Sequence, residues 1–371
     1  MKYLLTTLEY PPFKGGVSHY YKNLIENWPE KNIRVLTSVK EARGGKVIKK
    51  SLTSKIIYPH WLPALFYLAR ALKKFKINYV LVGQILPLGI PALWLSRIFK
   101  FKYALILHGM DLTLAFKKRK KKWISKKIIK RADKIICGNS YVKEILLKQM
   151  GEDIKTKIKI INPALNREIP EIDPQLKKKI EQKYDLKGEA VILSLGRLVR
   201  RKGFDKVLES LPEISQKKDV KYFLAGIGPD KERLEKIKKN LPPEVKKNVF
   251  LPGNISEEGK WALLSLSDVF VMPARQIGED FEGFGIVFLE ANLLKKAVIG
   301  GRSGGIKDAI IHGETGLLVN GENKQEIKGA IIKLLENEAL RKKMGEQGRT
   351  RVLKKFNWPA KAREIYNFLN Y

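Results

Sequence analysis

Two glutamates stand out in the stretch EDFEGFGIVFLEAN, residues 279–292. Glu282 lies beside glycines, and Glu290 follows eight residues later inside an apolar run. A carboxylate taken out of water without a partner is costly. Glu290 therefore either closes a buried salt bridge or backbone hydrogen bond, or it accepts two hydroxyls of a ribose, as acidic residues do in dinucleotide folds. Glu282 sits in the loop that aims the following helix, where it can take hydroxyls of a second polyol joined through a diphosphate. Together the pair would bracket a nucleotide sugar, with ribose at Glu290, diphosphate at the helix N-terminus and sugar at Glu282.

Glycine-bearing turns recur around this pair. GRLVRRKGF (196–204), AGIGPDKERL (225–234), FEGFGIVFLE (281–290) and RSGGIKDAI (302–310) each place glycine where a strand gives way to a helix. Backbone N–H groups at such junctions can approach a phosphate. One loop of this kind is common punctuation, whereas several together suggest a diphosphate site. Arg197 and Lys202 add side-chain cations, although either alone reads equally well as surface charge.

These loops need a frame. Strands are expected at Tyr3–Thr7, Arg34–Thr37, Tyr79–Val82, Ala104–Leu107, Lys134–Cys137 and Lys157–Ile161, with helices such as Ser18–Trp28 and Tyr141–Met150 between them. NPALNREIPEIDPQ (162–175) interrupts the alternation as a linker. It restarts with AVILSLG, VKYFLAG, NVFLPG, VFVMPA, KAVIGG and TGLLV. Alternation of this kind implies parallel sheets covered by helices on both faces, with ligand crevices at the carboxyl ends of the strands. WPAKAREIYNFLN closes the chain as a helix with Ala360, Ile365, Tyr366 and Leu369 on one docking face. His19 is expected to be structural.

A length of 371 residues, 44% of them hydrophobic, suits two domains. Cys137 is the single cysteine, so no internal disulfide forms, which fits a reducing compartment. No signal peptide is expected in MKYLLTTL. The uncharged run 77–96 is broken by Gly83, Gln84, Pro87 and Pro91, and reads as buried strand, loop and helix rather than a membrane span.

Charge is uneven. Residues 1–165 hold 34 Lys and Arg against 9 Asp and Glu, and the remainder holds 39 against 29. The segment KKRKKKWISKKIIKR (117–131) has ten basic residues and no acidic one. Trp123, Ile124, Ile128 and Ile129 recur in it at helical spacing. This is the pattern of a basic interfacial helix, with Lys120, Lys121, Lys122, Lys126 and Lys127 around the Trp123 anchor. Alternatively, its apolar residues dock the helix on its own sheet, or the charge reflects a Lys-rich composition.

EGFGIVFLE resembles the Glu-x7-Glu motif of the retaining glycosyltransferases of family 4, which adopt the GT-B fold. EYPPFKGGVSHY is similar to that family's first loop, LHGMD to its His-Gly motif, GRLVRRKG to its phosphate clamp, and SGGIKDAI and HGETGLLV to its closing signatures. PARQIGEDFEGFGIVFLEA resembles the branch of phosphatidylinositol mannoside mannosyltransferases, which use GDP-mannose. The resemblance implies an α/β GT-B chain: Rossmann-like doubly wound domains at 1–165, for the acceptor, and 166–355, for the nucleotide sugar. The two would face an interdomain cleft, and a C-terminal helix at 356–371 would return to the first domain.

It further implies that Gly15 and Gly16 lie near the donor phosphate and that Arg197 and Lys202 neutralise the departing diphosphate. Glu282 with Phe284, Gly285 and Ile286 would hold the sugar, and Glu290 the ribose. His108 would contact the donor sugar at the reacting centre, while Asp111 would either act there or cap a helix. The expected chemistry is hexose transfer with retained configuration, with no cofactor and no metal. The expected partners are a nucleotide sugar, a lipid-linked or glycan acceptor and an anionic membrane surface, without nucleic acid. The expected location is the inner face of the cytoplasmic membrane. A UDP-sugar donor (UDP-glucose or UDP-N-acetylglucosamine) is the alternative within the family. A basic nucleic-acid-binding module and a nucleotide-dependent oxidoreductase are the alternatives outside it. No nucleic-acid module is recognisable, and GIGP lacks the third glycine of a dinucleotide fingerprint.

Overall fold

The computed structural model describes residues 1–13, 15–44, 46–165 and 171–371. The chain divides into two compact units, Met1–Ala164 with Trp358–Tyr371, and Leu165–Asn357.

The first unit is built on seven parallel strands: β1 (Tyr3–Thr7), β2 (Ile33–Thr37), β3 (Val47–Lys49), β4 (Tyr79–Val82), β5 (Lys102–Leu107), β6 (Lys134–Cys137) and β7 (Ile158–Ile160). Their order is β3-β2-β1-β4-β5-β6-β7. Every residue of β1 and β4 is buried, as a strand covered on both faces requires. β3 is an edge strand of three residues with no fully buried position, too short and polar to be read from sequence. Helices α1 (Gly16–Glu26), α2 (Leu62–Phe75), α3 (Gly89–Ile98), α4 (Met110–Phe116), α5 (Arg119–Arg131) and α6 (Ser140–Met150) fill the connections. Run 77–96 is thus strand, loop and helix. Among the described residues no helix is long and apolar enough to cross a membrane.

The second unit has six parallel strands: β8 (Ala190–Leu195), β9 (Val220–Ala225), β10 (Val249–Gly253), β11 (Val269–Met272), β12 (Ala297–Gly301) and β13 (Gly316–Val319). Their order is β10-β9-β8-β11-β12-β13. Each sheet therefore has one switch point, between β1 and β4 and between β8 and β11, where strand order reverses and ligands bind in this class of fold.

Two expectations need correction. Pro174 and Gln175 already belong to the helix Pro174–Tyr184, because the Asp173 carboxylate accepts from Gln175 N at 2.8 Å and caps it; residues 166–170 of the expected linker lie outside the described residues. In the C-terminal helix Trp358–Asn370 the buried positions are Trp358, Ala362, Ile365 and Leu369, and Ala360 is exposed. Tyr366 packs edge-on at 5.6 Å against Trp28 in the first unit.

Candidate active site

In the second unit the switch point is a charge cluster. The strand β8 ends at Leu195, and a short helical turn, Arg200–Lys202, follows. Lys202 is buried, with Nζ 3.0 Å from Glu282 Oε2 and 3.0 Å from Met272 Sδ at the end of β11. Arg201 donates to the same Glu282 oxygen and pairs with Asp280 at 3.1 Å. Burial alone would raise the Glu282 pKa. Lys202 and Arg201 outweigh it and hold the carboxyl at about 2, so Glu282 is an anion at any working pH.

Three residues further on, Gly285 opens the helix Ile286–Leu293. Its φ is +77°, and a Cβ there would come 2.6 Å from the Phe288 ring, so glycine is required. No side chain caps this helix and no acid lies in its first turn, which leaves a positive helix end toward a ligand. Phe284 is buried against Phe356 at 5.8 Å, fixing the loop. Ile286 is half-buried.

Glu290 answers the question its apolar setting raises. It is not surrounded: its side chain is partly open and its Oε1 lies 2.7 Å from Lys260 Nζ. Lys260 also meets Glu257 at 2.5 Å. Burial would lower the Lys260 pKa, but Glu290 and Glu257 together raise it. Lys260 stands on the helix Glu257–Leu266, which Ser256 caps by accepting from Gly259 N. The loop 252–258 thereby adjoins both Glu290 and, through Gly253 O and Gly226 N at 2.8 Å, the GIG turn.

The glycines divide into two kinds. A Cβ on Gly226 would lie 1.9 Å from Gly196 O, and one on Gly228 would lie 2.1 Å from Leu198 O. Gly196 N donates to Ala225 O and Gly305 N to Glu282 O. These N–H groups are spent on packing one turn upon another, which corrects their reading as free phosphate donors. Arg197, by contrast, is exposed and makes no ion pair among the described residues.

The first unit's switch point holds no packed ion pair among the described residues, and its carboxylate, Glu9, lies beside Gln84. Gln84, after β4, accepts from Leu8 N at 3.1 Å and donates to Thr7 Oγ1 at 3.3 Å. Gly15 and Gly16 open α1, which has no side-chain cap and no acid in its first turn. A Cβ on Gly16 would meet nothing within 4 Å, and one on Gly15 only the Phe13 ring at 3.8 Å. Packing does not call for glycine at either position.

His108 follows β5. Its Nε2 is 3.2 Å from Tyr21 Oη, and Tyr21 donates its own proton to Gly83 O at 2.7 Å. With that proton used, Nε2 must carry the hydrogen and Nδ1 the lone pair. Burial lowers the His108 pKa to about 4, so the ring is neutral near pH 7. Tyr20 packs against the ring edge-on at 4.8 Å and in turn against Trp358 at 4.9 Å, so the C-terminal helix buttresses this histidine.

Asp111 is not the cap of α4, whose N-cap is Gly109, but it braces the preceding turn: Oδ1 accepts from His108 N at 3.1 Å and Gly109 N at 2.9 Å. Its Oδ2 is buried without a hydrogen-bond partner. Burial raises the carboxyl to about 6 against the backbone donors that lower it. Asp111 thus holds the His-Gly turn in shape. His19 is exposed on α1 and has no core role. Arg201, Lys260, Tyr21 and Gln84 were not singled out by the sequence reading. Arg201 alone carried a signal, as a third cation between Arg197 and Lys202.

On α5, Ile128 and Ile129 are buried and dock the helix, whereas Trp123 faces out with Lys127 Nζ 3.6 Å above its ring. Lys120, Lys121 and Lys127 are exposed, and Lys122 and Lys126 are half-buried. Among the described residues no group of three or more His, Cys, Asp or Glu is placed to hold a metal.

Two parallel-sheet units each carry a helix-opening glycine turn at the switch point, and the second adds a pair of carboxylates eight residues apart. Residues 14–168 match the family model Glycosyltransferase Family 4, and residues 177–351 match Glycosyl transferases group 1. The two models take in most of the chain, which belongs to these glycosyltransferases and has the GT-B fold. It is 25% identical to a GDP-mannose-dependent alpha-(1-6)-phosphatidylinositol monomannoside mannosyltransferase of Mycobacterium tuberculosis, over 99% of this chain and 97% of that one. It is 28% identical to an uncharacterised glycosyltransferase of Methanocaldococcus jannaschii, over 96% and 95%. Among solved structures, Anabaena HepE in complex with UDP superposes with a TM-score of 0.82 at 16% identity, covering 100% of both chains.

Proposed function

We propose that this glycosyltransferase moves mannose from GDP-mannose, with retained anomeric configuration, to a hydroxyl of a lipid-linked or glycan acceptor, working peripherally at the inner face of the cytoplasmic membrane. The observation that carries the transfer reading is Glu282, kept ionised by Lys202 and Arg201 at the mouth of an uncapped helix whose next turns bear Glu290. That arrangement offers a carboxylate to the sugar, a positive helix end and Arg197 to the diphosphate, and a second carboxylate to the ribose. Support for mannose comes from the full-length likeness to enzymes named for GDP-mannose.

In the proposed step the bond from the anomeric carbon to the diphosphate breaks as the acceptor hydroxyl attacks from the same face. The hydroxyl proton leaves with the diphosphate. Arg197, Lys202 and the dipole of Ile286–Leu293 stabilise the charge that develops on the leaving group. We take this charge to be met without a metal ion. His108, neutral and holding Nδ1 as an acceptor, offers that atom to a sugar hydroxyl rather than serving as a base.

The test is calorimetric titration with GDP, UDP, GDP-mannose and UDP-glucose in chelator and again with magnesium. Preferential binding of GDP and GDP-mannose, unchanged by chelator, is the expected result. Preference for UDP would replace the donor with a UDP-sugar, and binding of neither nucleotide would sink the donor site.

A further inference from the structure

Three helices of the first unit present an uncovered apolar surface. β3 to β4, β4 to β5 and β5 to β6 all cross in the same direction along the sheet, so α2, α3 and α5 lie on one face of it. They pack side by side: Trp61 at the start of α2 lies 6.3 Å from Trp94 on α3, and Arg131 on α5 reaches Ser96 O on α3. Gly89 on α3 receives Ile128 of α5. Their inner residues form the core. Their outer ones include Phe66 at 63% exposure, Trp94 at 53%, Ile98 at 74% and Trp123 at 60%. On α4, which packs against α5, Met110 and Leu114 are also exposed one turn apart, and they lead from the His108 turn toward α5.

Between these apolar groups stand exposed cations, Arg70 on α2, Arg97 on α3, and Lys120 and Lys127 on α5. From Ala42 to Ala132 there are 22 Lys and Arg and a single carboxylate, Asp111, whose Oδ1 is turned to the backbone. The next, Asp133, is taken by Lys102 at 3.3 Å and Tyr79 at 2.7 Å. The positive charge of this face is therefore uncompensated.

We propose that the outer face of α2, α3 and α5 is the surface by which the protein docks on an anionic lipid bilayer, with Phe66, Trp94, Ile98 and Trp123 in the headgroup–acyl boundary and the flanking Lys and Arg on lipid phosphates. Tryptophan favours that depth, and long basic side chains reach back from it to the headgroups. Exposed aliphatic groups such as Ile98 gain nothing from a nucleic acid, and the like charge of two such faces opposes self-docking. The inference gives the membrane setting of the proposed function a definite surface, a three-helix platform. It rests on that reading only for the purpose of docking, since lipid binding is measured without donor or acceptor.

The experiment is flotation of the whole chain with phosphatidylcholine vesicles, with and without phosphatidylglycerol, beside tryptophan quenching by brominated lipid. Binding confined to the anionic vesicles, weakened by salt and accompanied by quenching, is expected. Phe66→Ser with Trp94→Ser is expected to lower partitioning by about tenfold or more, and Lys120→Glu with Lys127→Glu to abolish the preference for phosphatidylglycerol. Retained GDP binding shows that each variant is folded. If GDP binds neither the variants nor the parent while vesicles still do, the donor reading fails and the platform stands. Equal partitioning of parent and variants overturns it. So does a dimer, seen by sedimentation velocity, that ignores vesicles and dissociates on the Phe66/Trp94 substitution, or RNA binding unaffected by that substitution.

Discussion

The two switch points solve the same problem with opposite means. In the second unit, opposite charges are packed together: Glu282 between Lys202 and Arg201, Glu290 on Lys260. In the first, the ends of β1, β4 and β5 hold a neutral imidazole, a tyrosine, an amide and two carboxylates, Glu9 beside Gln84 and Asp111 on the His-Gly turn. The charged site is arranged before any ligand arrives, which suits a donor whose leaving group becomes more anionic as it departs. The first site has no cation packed on its carboxylates among the described residues and presents hydrogen-bond atoms, which suits an uncharged hydroxyl.

That contrast breaks most visibly at Glu282. Replacing it by alanine removes the carboxylate and strands Lys202 in a largely buried place, while Arg201 keeps Asp280. Loss of one partner of such a pair destabilises by roughly 3 kcal/mol, and turnover is expected to fall on the order of a thousandfold. Urea unfolding and initial rates on the nucleotide sugar selected by titration measure the two effects. Glu282→Gln, which keeps the shape, should recover part of the stability and little of the rate. A glutamine variant with near-parental turnover would remove Glu282 from the chemistry.

Lys260 sharpens the comparison at smaller scale. If its ammonium keeps Glu290 ionised and aimed, Lys260→Met should weaken GDP and GDP-mannose equally, by about tenfold, or 1.4 kcal/mol. An equal loss for both places the effect on the nucleotide. A loss for GDP-mannose alone would move Glu290 from the ribose to the sugar, and no loss would leave the ion pair purely structural.

The strands β1, β4 and β6 were legible to the residue, because a central parallel strand is apolar on both faces and bounded by polar turns. The Glu282–Glu290 spacing was legible for a similar reason, since a loop and its helix are contiguous in sequence. Lys260 was not: it meets Glu290 from thirty residues away, and the register of one helix on another is set by packing. The GIG turn was misread because a glycine needed for close approach to Gly196 O looks the same as one needed for close approach to a phosphate. Phe66 and Trp94 were hidden by the opposite ambiguity. An apolar run predicts burial, and only the packed helices reveal which of its residues face outward.

The finest distinction between the two sites lies in how they answer acid. Glu282, held at about 2, contributes stability that is present above its unfolded pKa near 4.5 and is lost only as pH falls toward 2. It is silent between pH 6.5 and 4.5, where the first unit's groups titrate. The His108 pKa is lowered to about 4 from an unfolded 6.5, so its contribution is present above 6.5 and drains away as pH falls toward 4. Asp111 runs the other way. Raised to about 6 from 3.8, its contribution is present below 3.8 and is lost as pH rises through 6. In the parent the two oppose each other over this range. His108→Gln should therefore let stability rise by about 2 kcal/mol on acidification from pH 6.5 to 4.5, as Asp111 takes up its proton. Asp111→Asn should make stability fall over the same interval by a similar amount. Urea midpoints at the two pH values decide it. If both variants kept the parental slope, neither group would be held as its burial implies.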